Sequence, residues 1–556
     1  MRARARMRIE PSPGSVRAYL IPHWPLAFLL LLVLIGPVAL RPGHKDALAP
    51  GDERLVIITP HNEAIRAEFG RGFAEHLRAK TGRRVRVDFR SPGGTSEIAR
   101  YVGGEYLGAF QHYWTSTLGR PWSSAVERSF ANPGADGRDP VAGEARRAFL
   151  SSNVGCKIDL FFGGGAYDFQ SQAKAGYLVD SGFVRDHPEL FNEQIIPQQL
   201  GGEPLWDPEG RWIGACLSAF GIVYNTDSLR RLGIDPPPAR WADLADPRFL
   251  NELALANPTQ SGSVTRSFEM LIQQQMREAL EARRAPAGRA LTKEEQGDAI
   301  GEGWNRAMQL LMKIGANARY FTDAASKISI DVAAGEAAAG MSIDFFGRFQ
   351  SEAVARADGA SRLVYAPASG GSSMGADPIG VFRGAPSPEL AREFIAFVLS
   401  SQGQKLWNWK VGTPGGPSRY AVRRLPILPS LYAPEFAAFR SDPDVDPYAA
   451  ARDFEYHEQW TAPLFRVIAL VFRAMCIDPH DELSTAWEAL ISAGFPAEAT
   501  SVLLDVSPVN YAAASGPLRE ALGPNKIREV QLARNLADRF RDQYRRAAGL
   551  ARERRR

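Results

Sequence analysis

Four short loops of small polar residues hold the chemistry this chain can offer. They are Thr59-Pro60-His61-Asn62, Ser91-Pro92-Gly93-Gly94-Thr95-Ser96, Gly163-Gly164-Gly165 and Thr259-Gln260-Ser261-Gly262-Ser263. Each follows a short apolar run of β type and precedes a helical pattern. A helix start presents unpaired N–H groups and the positive end of the helix dipole, so each loop is a cradle for an anion or polar ligand. Ser91, Gly94, Thr95 and Ser96 offer hydroxyls and N–H groups at one start, and Thr259, Ser261, Gly262 and Ser263 at another. Phosphate, phosphonate or sulfonate oxygens suit such nests. Asn62, Gly164 and Gly165 sit at two further starts, and His61 can donate to an anion. Asp344, at a strand end, can accept from a ligand hydroxyl or amine. The same Ser, Thr and Asn residues also serve as ordinary helix caps, Asp344 as a structural cap, and His61 as a buried structural histidine. Arg66, one turn into its helix, reads as a surface side chain.

Positioning these loops takes an alternating α/β chain. Residues 54–59, 84–90, 158–162, 212–225, 253–256, 338–343, 363–366 and 379–382 read as strands, most of them followed by helices. That rhythm predicts parallel sheets with a ligand at the strand ends. Residues 105–150 and the charged stretch 279–298 break it and read as insertions. Beyond Pro417 the pattern becomes helical, interrupted by Pro and Gly, and an Arg-rich amphipathic helix closes the chain. The run Val467-Ile468-Ala469-Leu470-Val471-Phe472 is too short to span a bilayer and reads as a core helix.

A chain of 556 residues implies more than one unit. Its net charge of +4 is unevenly spread: residues 1–41 carry +5 and the stretch from Pro524 onward +7, which leaves −8 for the middle. An acidic middle disfavours nucleic acid as a partner. The uncharged apolar stretch 24–40 follows an Arg-rich start, which predicts a cytoplasmic N-terminus and an exported bulk. It reads as a single-pass membrane anchor, with a cleaved signal as the alternative. Cys156, Cys216 and Cys476 are too few for a disulfide framework, although Cys156 and Cys216 can form one bridge; three buried thiols are the plainer reading.

The ordered series 58–63, 158–165, 221–226, 256–263 and 335–340 (ITPHNE, IDLFFGGG, GIVYNT, ANPTQSGS and GEAAAG), with the helix to Gly403-Gln404, resembles the type II extracellular solute-binding proteins of ABC importers. Within that family the branch for ferric iron, thiamine, polyamines, phosphonates and sugar phosphates is the nearest, and the resemblance spans about residues 53–420. It implies a non-enzymatic binding protein with two α/β lobes that close on a ligand by a hinge. The chain crosses between lobes near residues 216–220 and returns near 375–379. The expected organisation is a basic cytoplasmic segment 1–23, an anchor or signal 24–40, a linker 41–53, lobe 1 over 54–215, lobe 2 over 216–375, a return to lobe 1 over 376–420, and a helical extension 421–556. The expected partners are a small anionic solute, an ABC permease and the membrane, with the bulk of the chain in the periplasm and no cofactor.

Ferric-binding members place two tyrosines where this chain has Phe345 and Phe346, which have no oxygen to give a hard cation. His61 with Asp344 is a thin ligand set for iron, so a phosphonate or phosphorylated compound is the leading expectation. Gly371-Ser372-Ser373-Met374-Gly375 formally matches a nucleophile elbow, but an apparent strand rather than a helix follows it. A tethered sensor that signals through residues 421–556 is the third reading. For a transport protein, deleting that extension should spare ligand affinity.

Overall fold

The computed structural model describes residues 28–33, 52–135, 139–523 and 526–554. The expected cytoplasmic segment, and most of the anchor and linker, lie outside the described residues. Of the anchor, residues 28–33 are helical, with apolar side chains exposed. They belong to a separate unit ending at Glu53, and the unit Arg54–Arg556 carries the fold.

In chain order the strands are β1 (Asp52–Ile58), β2 (Arg84–Arg90), β3 (Leu160–Phe162), β4 (Leu178–Val179), a ribbon of β5 (Gln199–Leu200) and β6 (Glu203–Pro204), and β7 (Ile213–Ser218). Next come β8 (Phe220–Asn225), β9 (Leu253–Ala256), β10 (Ala318–Thr322), β11 (Ala339–Ile343) and β12 (Leu363–Pro367), then β13 (Gly375–Phe382) and β14 (Leu425–Pro426). A seven-stranded sheet has the order β14-β7-β13-β3-β1-β2, with β4 beside β13, and a five-stranded sheet the order β10-β9-β11-β8-β12. The expected strand 212–225 is therefore two strands in two sheets, divided at Ala219. The chain returns through residues 368–374, just ahead of the expected place.

The sheets are mixed rather than wholly parallel. β1 pairs parallel with β3, and β9 with β10 and β11, whereas β13 and β8 run antiparallel to their neighbours. The reason is geometric. A strand arriving from the other sheet starts at the inter-sheet side, where the local strands end, so it must run against them.

The helices that matter for the site are α1 (Glu63–Thr81), α2 (Thr95–His112), α3 (Pro140–Ser151), α4 (Ala166–Ala175), α5 (Gly262–Ala287), α6 (Lys293–Ala316), α7 (Ala325–Ala334) and α8 (Asp344–Ala353). Neither expected insertion is an appendage. α2 runs on to His112, and Tyr106, Phe110, Phe130 and Phe149 share a core with Ile58 and Phe161. Residues 279–298 are the tip of the α5–α6 hairpin, where Thr292 and Glu295 form a capping box.

The region after residue 420 is built into both sheets. β14 extends the first sheet beside β7. The helices α9 (Phe465–Phe472), α10 (His480–Ser492) and α11 (Lys526–Glu553) pack against the second. Trp460, Val471, Phe472, Trp487 and Phe540 lie in one apolar cluster with Leu255, Trp304 and Met308. The Trp304 indole donates to the Val509 carbonyl (2.8 Å) and the Trp487 indole to Asn317 Oδ1 (2.9 Å). The helical stretch Glu458–Ile477 is, among the described residues, long and apolar enough to cross a membrane, but 61% of its window is buried inside the protein. The core-helix reading of residues 467–472 therefore accounts for its apolar character. All three cysteines are free and buried, so Cys156 and Cys216 form no bridge.

Candidate functional site

A cleft of about 500 Å³ lies between the two sheets, where β1, β3, β9, β10 and β11 end and β8 and β13 begin. His61, Asn62, Ser91, Gly94, Thr95, Gly164, Gly165, Ser261, Gly262 and Ser263 all line it, so the four loops recognised in the sequence meet in one place. A fifth helix start of the same kind, Asp323-Ala324 between β10 and α7 with Ala325 and Ser326 in the first turn, joins them. Its signal was present in the sequence, a strand-like run followed by small residues.

Three expected contact residues do not line the cleft. Ser96 follows Thr95 on α2 and is turned about 100° around the helix from it. Thr259 spends its hydroxyl on Asn257 Oδ1 (2.7 Å), inside its own turn. Asp344 is fully buried, accepts from the Phe345 N–H (2.8 Å) and lies 3.7 Å from Arg348. Phe345, the next residue of α8, lines the cleft instead.

The helix starts differ in how they are capped. Asn62 accepts from the Ile65 N–H (3.1 Å) and so satisfies α1. At α2, α4, α5 and α7 the capping residues Gly94, Gly165, Ser261 and Ala324 make no side-chain bond to the first turn. Four helix ends therefore direct uncapped N–H groups and positive dipole ends toward the cleft region. Among the described residues the hydroxyls of Ser91, Ser261 and Ser263 have no hydrogen-bond partner in the protein.

Three arginines also line the cleft: Arg66 on α1, Arg266 on α5 and Arg424 just before β14. The surface assignment of Arg66 is thus corrected: it is only partly exposed, and its Nε is buried with no partner. Arg266 is pinned between Glu203 and Glu269 and lies over the Tyr456 ring, 4.0 Å from its centroid. Arg424 pairs with the buried Asp377 and lies 3.8 Å from the Phe345 ring centroid. Arg66 and Arg266 share a placement, one turn into a helix whose start lines the cleft. That spacing was legible in sequence but is common on ordinary helices. Arg424 gave no local signal, since only the fold brings it to the site.

His61 is buried, with Nε2 3.6 Å from Asp377 Oδ2. Burial pushes its pKa down to about 4, and nearby Arg424 adds to this against the opposing pull of Asp377. The imidazole is therefore neutral at neutral pH. Its place depends on Gly163, where φ is +86° and an added Cβ would fall 2.2 Å from His61 Nε2. Burial also works against the Asp377 carboxylate, but Arg424 and His61 outweigh it and hold the pKa below the ordinary value. Asp168, hydrogen-bonded to Thr95, is pushed up to about 6 by the protein around it. Across the cleft, a Cβ placed on Gly262 would lie 3.0 Å from Thr95 Oγ1 and 3.1 Å from Asp168 Oδ2. The two sides thus touch at the start of α5. Gly262→Val is expected to hold them apart and weaken solute binding at least tenfold, as calorimetric titration would read; unchanged binding would mean that this contact plays no part.

Asp344 carries a pH prediction. Burial raises its pKa from 3.8 to about 6, so the folded state holds its proton over a range where the unfolded state has lost it. Wild-type stability therefore falls from this group as pH rises from about 4 to 6. Asp344→Asn removes that loss. Relative to wild type, the variant should gain on the order of 2–3 kcal/mol between pH 4 and pH 7 in urea unfolding. A difference independent of pH would show that Asp344 titrates normally.

Comparison with known proteins gives a match for part of the chain. Residues 156–419 match the model of the bacterial extracellular solute-binding proteins. A protein of Haemophilus influenzae is 25% identical over 258 residues, which cover 46% of this chain and 62% of that protein. The phosphoglycerate transport regulatory protein PgtC of Salmonella typhimurium is 22% identical over 221 residues, 40% of this chain and 45% of its own. The chain thus spans about half to three fifths of the length of these curated relatives. Among solved structures, iron-bound HitA from Pseudomonas aeruginosa aligns at 15% identity with a TM-score of 0.45, covering 76% of this chain and 99% of HitA. The periplasmic binding protein AfuA from Actinobacillus pleuropneumoniae, with fructose-6-phosphate bound, aligns at 17% and 0.41, covering 64% and 81%. Residues 156–419 are thus similar to the bacterial extracellular solute-binding proteins, over a little under half of the chain.

Proposed function

We propose that this chain is the extracytoplasmic solute-binding component of an ABC importer, tethered to the membrane through residues 24–40, and that it takes a small anionic organic solute. One observation carries the reading: four uncapped helix starts converge on a cleft that also holds Arg66, whose Nε has no partner. Oriented N–H groups and guanidinium groups together recognise phosphate, phosphonate or carboxylate oxygens. Ser91, Thr95, Ser261 and Ser263 supply hydroxyls, and neutral His61 can give one further hydrogen bond. The Salmonella relative is named for phosphoglycerate transport, and a phosphoglycerate is a solute of this class. No group in the cleft has the nucleophile, base and helix arrangement of an elbow. Ser373, in the return loop, instead bonds to Glu203 of β6.

The test is a thermal-shift screen of the full chain against phosphate esters, phosphonates, polyamines, thiamine and ferric citrate, since a ligand of the native state raises Tm by mass action. Phosphorylated or phosphonated compounds alone should shift it; a shift with ferric citrate alone would overturn the anion reading. Ser261→Ala combined with Ser263→Ala should then weaken binding at least tenfold, about 1.4 kcal/mol, without lowering ligand-free stability. Unchanged affinity would remove α5 from the anion cradle.

A further inference from the structure

The cradle holds a negative group of its own. Asp168 stands in the first turn of α4, lines the cleft and keeps part of its surface open. Its carboxyl lies where three of the uncapped helix starts meet. A Cβ built on Gly165, the residue before α4, would fall 3.9 Å from Asp168 Oδ2. One built on Gly262, the first residue of α5, would fall 3.1 Å from the same oxygen and 3.0 Å from Thr95 Oγ1. Thr95 is the first residue of α2 and hydrogen-bonds to the carboxyl. Asp168 thus occupies the place offered to a solute anion, and it engages the Thr95 hydroxyl that the solute would use.

No cation neutralises it. Among the described residues Asp168 has no ion pair, and none of the cleft's arginines acts on its carboxyl. The charged groups on the elements packed around it are engaged elsewhere. Glu97 of α2 pairs with Arg100, Arg266 of α5 with Glu203 and Glu269, and Arg466 of α9 with Glu529, while His61 faces Asp377. Tyr167, beside it on α4, stacks on Phe465 of α9 at 4.1 Å. Burial, with Asp168 next to it, holds that phenol above the ordinary tyrosine range, so it stays neutral. Burial without a cation also pushes Asp168 up to about 6, which makes it easier to protonate than a surface carboxyl.

We infer that Asp168 competes with the solute for the cradle, and that the anion binds together with one proton, which Asp168 takes up from solvent. Two negative charges this close disfavour each other, and the proton that relieves them goes to the group with no cation beside it. Once protonated, its O–H can donate to a solute oxygen, and the Thr95 hydroxyl is released to do the same. The inference rests on the anion reading above and adds what sets affinity at that site. Asp168 has the higher pKa in the bound state, so affinity rises as pH falls from 8 to 6.

Calorimetric titration of the full chain with methyl phosphate, in two buffers of different ionisation enthalpy, counts the protons taken up on binding. At pH 7 the wild type should take up at least about half a proton more per solute than Asp168→Asn. That comparison cancels the titration of methyl phosphate itself. Asp168→Asn should bind at least tenfold tighter than wild type at pH 8, and the advantage should shrink to about twofold at pH 5. Asp168→Ser repeats the comparison with a smaller side chain, should the amide disturb the fold. Equal proton uptake in wild type and variants, or variants that bind no tighter at pH 8, overturns the inference and leaves the anion reading standing. Methyl phosphate that binds neither wild type nor variants overturns the anion reading, and the inference with it.

Discussion

A chain ending at residue 420 is expected to lose cooperative folding altogether. The sequence reads residues 421–556 as an extension outside the family pattern, whose deletion should spare ligand affinity. The packing reverses that expectation. Trp460, Val467, Ile468, Val471, Phe472, Met475, Leu483, Trp487, Phe540 and Tyr544 are buried in the same cluster as Leu255, Trp304, Met308 and Leu311. Each large apolar side chain stripped of its partners loses about 1.5–3 kcal/mol. A dozen such losses exceed the roughly 5–15 kcal/mol by which whole domains are stable. The cut would also leave the Trp304 indole and the Gln273 amide without the Val509 and His457 carbonyls that accept from them. Expression of the truncated chain, followed by circular dichroism melting, decides the matter. A sharp unfolding transition near that of the full chain would mean that the second sheet has a core of its own.

Arg424→Met should be the most damaging single change near the cleft, costing about 3–5 kcal/mol. Its guanidinium faces Asp377 with both groups almost fully buried, approaches Cys216 Sγ at 3.6 Å and covers one face of Phe345. Removing one partner of such a pair leaves an uncompensated charge where water cannot reach it. Removing both is milder, so Arg424→Met with Asp377→Asn should recover most of the loss. A third readout is independent of stability. Arg424 is one of the groups that lower the His61 pKa, so His61 should titrate above about 4 in the single variant, as NMR of the imidazole would show. A loss under about 1 kcal/mol in urea unfolding, or a His61 titration that does not move, would mean that Asp377 finds another partner.

The strand-end loops were legible because their signal is local. An apolar run, a few small residues and a helical pattern are all contiguous, and the chemistry of a helix start follows from the backbone alone. That is why four loops were found; the two sheets that carry them bring them to one cleft. Asp344 shows the limit of the same rule. It sits at a strand end as read, but its carboxylate is fully buried, and the next residue, Phe345, lines the cleft. Strand direction was misread for a related reason: residues 212–225 are continuously apolar, and nothing local reveals that the chain changes sheet at Ala219.

By itself, the sequence determined the α/β rhythm, the loops that build an anion cradle, the acidic middle of the chain and the resemblance to type II solute-binding proteins. The tertiary structure alone decided which side chains face the cleft. Arg66 reads as a surface side chain, Arg266 sits at a spacing too common on helices to single it out, Arg424 carries no local mark, and Tyr456 and Phe465 lie in a region that reads as appended. Helix starts are encoded by neighbours in sequence. A buried ion pair such as Asp377 with Arg424, 47 residues apart, is encoded only by the packing that excludes water from both.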